Sequence, residues 1–271
     1  MSDRNRPWVI GVFDSGVGGL SVLKEIRALL PDVDVVYIAD SAHVPYGEKT
    51  QEYILDRSRS LTAFLITQGA DLVVVACNTA TAAAAVGLRT EFSIPMVGME
   101  PAVKPAMAAT KSGTVGVLAT TGTLASAKFA ALLTRYQGDR IVITEPCPGW
   151  VDAVEHGELS GPRVEALVAK HVQLLTGRGA DVLILGCTHY PFLRPIVESI
   201  AGPNVVVLDT GAAVARQVER RLGELGYSRR DTESFGKTHF YTSGNALESV
   251  AVINRLWDEP VTVQTLPEAY I

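Results

Sequence analysis

No stretch of this 271-residue chain is apolar for long enough to cross a membrane, which takes roughly 20 residues. The first apolar run, Trp8 to Phe13, is cut off by Asp14, too early for the core of a secretory signal. Cysteine is scarce: there are three, and none stands in a CxxC pair. That argues against a disulfide framework and for reduced thiols in the cytoplasm. Charge of one sign never accumulates, and the net charge is −5. A nucleic-acid binder needs clustered Lys and Arg for phosphate contacts, so nucleic acid is not an expected partner. With 47% apolar and 20% charged residues there is ample material for a globular core.

What the chain does contain is alternation. Short apolar runs at Val9–Phe13, Val35–Ala39, Leu72–Ala76, Met96–Val97, Thr114–Leu118, Ile141–Thr144, Val182–Leu185 and Val205–Leu208 read as strands. Longer amphipathic segments lie between them, among them Leu20–Leu30, Thr50–Gln68, Thr79–Phe92 and Arg163–Thr176. Such βαβα order predicts an α/β fold with mostly parallel sheets and helices on their faces. Ligands of such folds sit at the carboxyl ends of the strands.

The chain also repeats itself. Gly69-Ala70-Asp71 leads through LVVVA into Cys77-Asn78-Thr79, and 110 residues later Gly179-Ala180-Asp181 leads through VLILG into Cys187-Thr188-His189. A looser echo pairs IGVFDSG (10–16) with VGVLATTG (115–122), and MEP (99–101) with LDT (208–210). Two similar three-layer domains follow, related by pseudo-symmetry: 1–99 completed by the tail 212–271, and 100–211. In the tail, HFYTSG (239–244) reads as strand and Ala246–Trp257 as helix.

A cysteine after a buried strand is ordinarily a small core residue. Two in register, each followed by polar groups, ask for another account. Both are expected at a strand end and a helix N-terminus, on opposite walls of one cleft, where free N–H groups favour thiolate and attract carboxylates. Facing thiols suit one reaction type well: taking a proton from one face of a carbon and delivering one to the other. His189 stands near enough to Cys187 to be a metal ligand, but one such pair makes no zinc site.

The first strand ends in Asp14-Ser15-Gly16-Val17-Gly18-Gly19. A dinucleotide fingerprint starting at Gly16 would need glycine where Ser21 stands. The glycines permit close backbone approach to a small anion, and Asp14 is able to contact an ammonium group or a thiol. Cys147, in EPCPGW, has no repeated counterpart and reads as structural.

Together the blocks GVFDSGVGGLSVL, YIADSAHVPYG, ACNTATA, PMVGMEPAVKPA, GVLATTGTL, LGCTHYP and LDTGAAVA resemble the glutamate racemases of the cofactor-independent aspartate/glutamate racemase superfamily. They span residues 11 to 215. The resemblance implies that Cys77 handles the α-proton of D-glutamate and Cys187 that of L-glutamate, with Asp14 assisting the first and His189 the second. It adds Asp40 and Glu155 as further acidic groups. It also implies substrate contacts at Asp14, Ser15, Tyr46, Gly47, Asn78, Thr79, Thr120, Thr123, Thr188 and His189. No metal or other cofactor is implied, and a homodimer is. Alternatives are an aspartate or other amino-acid racemase, a single-thiol decarboxylase, and a non-catalytic amino-acid binding protein.

Overall fold

The computed structural model describes residues 6–229 and 235–271. Each of the eight expected strands forms, with ends within two residues of the expected ones. They are β1 Val9–Asp14, β2 Asp34–Ala39, β3 Leu72–Val75, β4 Met96–Val97, β5 Thr114–Ala119, β6 Ile141–Pro146, β7 Val182–Leu185 and β8 Val206–Leu208. Two more follow in the tail, β9 Thr238–Thr242 and β10 Val263–Thr265, the second of which the sequence pattern did not signal.

Between β1 and β5 run helices α1 Leu20–Leu29, α2 Gln51–Thr67, α3 Asn78–Glu91 and α4 Val103–Ala109. Between β5 and β8 come α5 Thr121–Leu124, α6 Ala127–Tyr136, α7 Trp150–Glu155, α8 Pro162–Gly177 and α9 Arg194–Ala201. The chain continues with α10 Gly211–Glu224 and α11 Ala246–Trp257. No helix among the described residues is long and apolar enough to cross a membrane.

The strands form two sheets, in the orders β10-β9-β2-β1-β3-β4 and β6-β5-β7-β8, and every pairing is parallel. The order β2-β1-β3-β4 recurs as β6-β5-β7-β8, so the sequence repeat is a structural repeat. Register agrees: Ile10 lies beside Leu72 in one sheet, and Val115 beside Val182 in the other. The tail adds β9 to the β2 edge of the larger sheet.

Parallel strands covered on both faces read as continuous apolar runs, and here alternate residues go to opposite layers. In β3, Leu72 and Val74 join a large central core, while Val73 and Val75 pack in a second cluster with Leu61 and Leu65 of α2 and Ala84 and Leu88 of α3. In β7, Leu183 and Leu185 face the central core, and Val182 and Ile184 join Val103 of α4 and Phe129 of α6. The central core runs from one sheet to the other, drawing in Leu23 and Ile26 of α1 and Trp150 of α7. The strand ends that carry the polar motifs therefore hang from one shared core.

Deleting part of a fully buried side chain from such a layer leaves a cavity. Leu183→Ala, at a site with no exposure, is expected to cost about 2–5 kcal/mol, read as a lowered urea midpoint.

Candidate active site

Asp14 ends β1 and is fully buried. Its Oδ2 accepts the N–H of Gly19 at 2.9 Å and that of Gly16 at 3.4 Å, so the carboxylate closes the glycine loop that leads into α1. Burial raises the Asp14 carboxyl above its ordinary pKa, and a charge on Glu155 adds to this, while His189 and the loop N–H groups pull the other way.

The loop glycines have a steric reason. A Cβ on Gly16 would lie 1.9 Å from Oε1 of Glu155, and one on Gly18 would lie 2.2 Å from Nδ1 of His189. The small anion that the loop admits is thus one of the protein's own carboxylates. Glu155, the last residue of α7, takes the N–H of Val17 at 2.8 Å and meets Nε2 of His189 at 2.6 Å, both at Oε1.

Cys77 follows β3 and caps α3, its Sγ accepting the N–H of Ala80 at 3.4 Å. The thiol lies 3.8 Å from Oγ of Ser15. Burial pushes the Cys77 thiol far up, and charges on Asp14 and Cys187 push the same way; the Ala80 N–H and Ser15 oppose them. Cys187 is also buried, with Sγ 3.7 Å from Nδ1 of His189.

The second thiol departs from expectation in one respect. No α-helix starts behind it: a turn leads into a 3-10 segment, Tyr190–Leu193, and α9 begins only at Arg194. Pro191 stands where Thr81 of the first half donates its N–H to the Cys77 carbonyl, and it has no N–H to start an α-helical ladder. His189 takes over the support that a helix terminus gives Cys77. Burial works against a charged imidazole, yet the hydrogen bonds to Cys187 and Glu155 prevail and raise His189 well above its ordinary pKa.

The two halves meet across the site. Thr188 Oγ1 donates to Asp14 Oδ1 at 3.4 Å, and Ser21 Oγ donates to the Thr188 carbonyl at 2.8 Å. Thr79 Oγ1 lies 3.0 Å from Thr120 Oγ1 and 3.1 Å from Thr123 Oγ1, giving a three-hydroxyl cluster across the interface. Gly47 abuts this cluster, since its Cβ would meet Thr120 at 3.0 Å. Asn78 is buried, and neither its amide nitrogen nor its oxygen has a partner. A buried amide without partners carries a desolvation cost of about 1–3 kcal/mol, which a ligand offering an acceptor to its nitrogen and a donor to its oxygen would relieve.

Asp40 stands a layer behind. It accepts Tyr46 Oη at 2.5 Å and a fork from Arg57, Nη2 to Oδ1 at 2.7 Å and Nε to Oδ2 at 3.1 Å. Arg57 went unread in the sequence, although a cation on the apolar stripe Ile54, Leu61, Phe64 of α2 is a legible signal. Cys147 follows β6, buried against the backbone, with its Sγ 3.4 Å from the Glu145 carbonyl. Among the described residues no three His, Cys, Asp or Glu side chains cluster as metal ligands do.

Fold and site together define a class: a duplicated parallel α/β protein with two buried thiols at equivalent strand ends of its two sheets. The chain matches the Asp/Glu/hydantoin racemase family over residues 10–218, and it belongs to that family. It is 54% identical to the glutamate racemase of Pseudomonas entomophila, over 98% of this chain and all of that one. The crystal structure of glutamate racemase isoform RacE1 from Bacillus anthracis superposes with a TM-score of 0.85 at 31% identity, covering 97% of this chain and 98% of that one. Glutamate racemase from Francisella tularensis, solved in complex with D-glutamate, gives 0.82 at 29% identity, covering 98% of each chain.

Because His189 is raised in the folded protein, the stability it contributes is complete below about pH 6.5, its unfolded value. That contribution is lost as the pH climbs through the higher folded value. Glu155→Gln removes the carboxylate charge behind one of the two bonds that raise it. The His189 ring, followed by NMR, should then titrate at lower pH than in the parent; a shift upward would contradict the charge assignment.

Proposed function

We propose that this protein interconverts L- and D-glutamate by two-thiol proton transfer at the α-carbon, supplying D-glutamate for peptidoglycan. The observation that carries this reading is the pair Cys77 and Cys187. They sit at equivalent strand ends and are linked through neighbouring residues: Ser15 lies 3.8 Å from the Cys77 sulfur, and Asp14 beside it takes a bond from Thr188, the neighbour of Cys187. Neither a decarboxylase working through one thiol nor a simple binder accounts for both.

In the L-to-D direction Cys187 acts as thiolate and takes the α-proton, while the Cys77 thiol gives its proton to the opposite face. The roles exchange on return. Burial and the Asp14 charge keep Cys77 protonated, the donor form that this direction requires. When Cys77 must act as base, the α3 N-terminus and the Ala80 N–H favour its thiolate. His189, held by Glu155, aims Nδ1 at the Cys187 sulfur and steadies charge there.

An amino acid's α-proton is weakly acidic, so the site must also stabilise the carbanion that forms. Asn78, with its free amide, and the hydroxyls of Ser15, Thr79, Thr120, Thr123 and Thr188 are the groups assigned to the substrate carboxylates, together with backbone N–H groups. Tyr46 and Gly47 wall the Cys77 side. Substrate entry parts the threonine cluster, and closure over the substrate excludes water. No cofactor is required for these steps.

The lobes in this reading are 1–99 with 212–271, and 100–211; the sheet order supports the division. A homodimer belongs to the same reading on family resemblance, with sedimentation as its check. Glutamate is preferred over aspartate because the relatives matched across nearly the whole chain bear that name.

Purified protein in D2O, with no added cofactor, is expected to place deuterium at Cα of both glutamate enantiomers and to turn over L-Glu well ahead of L-Asp. Folded protein that exchanges neither enantiomer defeats the reading. Cys77→Ser and Cys187→Ser should each lower racemisation at least about 100-fold, and near-normal turnover in both would rule out two-thiol chemistry.

A further inference from the structure

We infer that Arg57 is a positioning residue of this active site, acting through Asp40 and Tyr46 on the wall beside Cys77; the inference rests on the racemase reading above. Arg57 lies on α2 and touches neither thiol. Its guanidinium is nearly buried, and it grips both oxygens of the fully buried Asp40 in a planar fork. That two-pronged geometry fixes the carboxylate in orientation as well as in charge.

Oδ2 of Asp40, one of the two gripped oxygens, also accepts the Tyr46 hydroxyl at 2.5 Å. Tyr46 is buried in the same packed cluster as Cys77 and is followed by Gly47, which lies against Thr120 of the opposite half. Behind, the same Arg57 Nη2 donates to the Tyr270 carbonyl at 3.0 Å. The Tyr270 ring packs on Phe64 of α2, with centroids 5.2 Å apart. The Asp40 backbone N–H bonds the Asp14 carbonyl at 3.0 Å.

A connected line therefore runs from the tail, through Arg57 and Asp40, to the Tyr46-Gly47 wall and to Asp14. A buried arginine of this kind is chosen over lysine because an ammonium cannot hold both carboxylate oxygens in one plane while also reaching the Tyr270 carbonyl. Loss of the fork frees Asp40 to rotate, and Tyr46 with it. The wall then has to be reordered by each incoming substrate.

The test is a kinetic cycle on the full chain with Arg57→Lys, Arg57→Met, Tyr46→Phe and the Arg57→Lys/Tyr46→Phe double variant, assayed with both glutamate enantiomers. Arg57→Lys should raise KM about fivefold or more for each enantiomer, with a smaller change in kcat, and Arg57→Met should raise it further. Tyr46→Phe in the Arg57→Lys background should add less than about twofold, since both changes break one line. A purely structural arginine would instead lower the melting temperature, leave KM alone, and give effects that multiply with those of Tyr46→Phe.

Wild-type KM in the Arg57 variants, or multiplicative effects in the double variant, overturns the inference. Should neither Arg57 variant fold, Arg57 is a structural residue and the inference is overturned. Absence of racemisation in the parent protein would defeat the functional reading, an outcome distinct from variants that match an active parent.

Discussion

One carboxylate oxygen ties the two halves of this site together. Oε1 of Glu155 receives the Val17 N–H from the loop after β1 and faces Nε2 of His189 from the loop after β7. Bringing Glu155 and the His189 it meets that close to a backbone turn leaves no room for Cβ atoms, at Gly16 against Glu155 and at Gly18 against His189. The glycine loop in turn is closed by Asp14, and His189 is placed against Cys187. Much of what surrounds the thiols thus depends on one acid at the end of α7.

The strand ends explain why so many polar groups are buried there at all. Parallel strands packed on both faces finish in a dry layer, where an unpaired polar group is costly. Nearly all of these groups satisfy one another: Thr79 with Thr120 and Thr123, Thr188 with Asp14, Asp40 with Tyr46 and Arg57. Asn78 is an exception, as is the Ser41 hydroxyl after β2, and the two free ends of Asn78 sit immediately after Cys77. Such low-dielectric surroundings strengthen each charge interaction, which suits a reaction that creates negative charge on carbon.

The duplicated plan was legible because a continuous apolar strand followed by Cys-polar-polar survives as an ungapped string of letters. Strand and helix positions were legible for the same reason, since short apolar runs and amphipathic segments announce themselves locally. β10 was not, because its three residues carry no apolar pattern of their own and pair only by being laid beside β9. The glycine loop was understood as admitting an anion, without any sign that the anion would be Glu155, 138 residues away. Arg57 was visible as a cation on an apolar helix stripe, but its carboxylate partner lies on a different element.

By itself the sequence determined the parallel α/β class, the repeat, the two thiols and the identity of the polar residues at the strand ends, because these are properties of neighbouring letters. The tertiary structure alone decided which polar groups meet. It set Glu155 on Val17 and His189, put Asp40 in the grip of Arg57, and replaced the helix expected behind Cys187 with a 3-10 turn. Those outcomes rest on contacts between distant segments, whose geometry is set by how two sheets share one core.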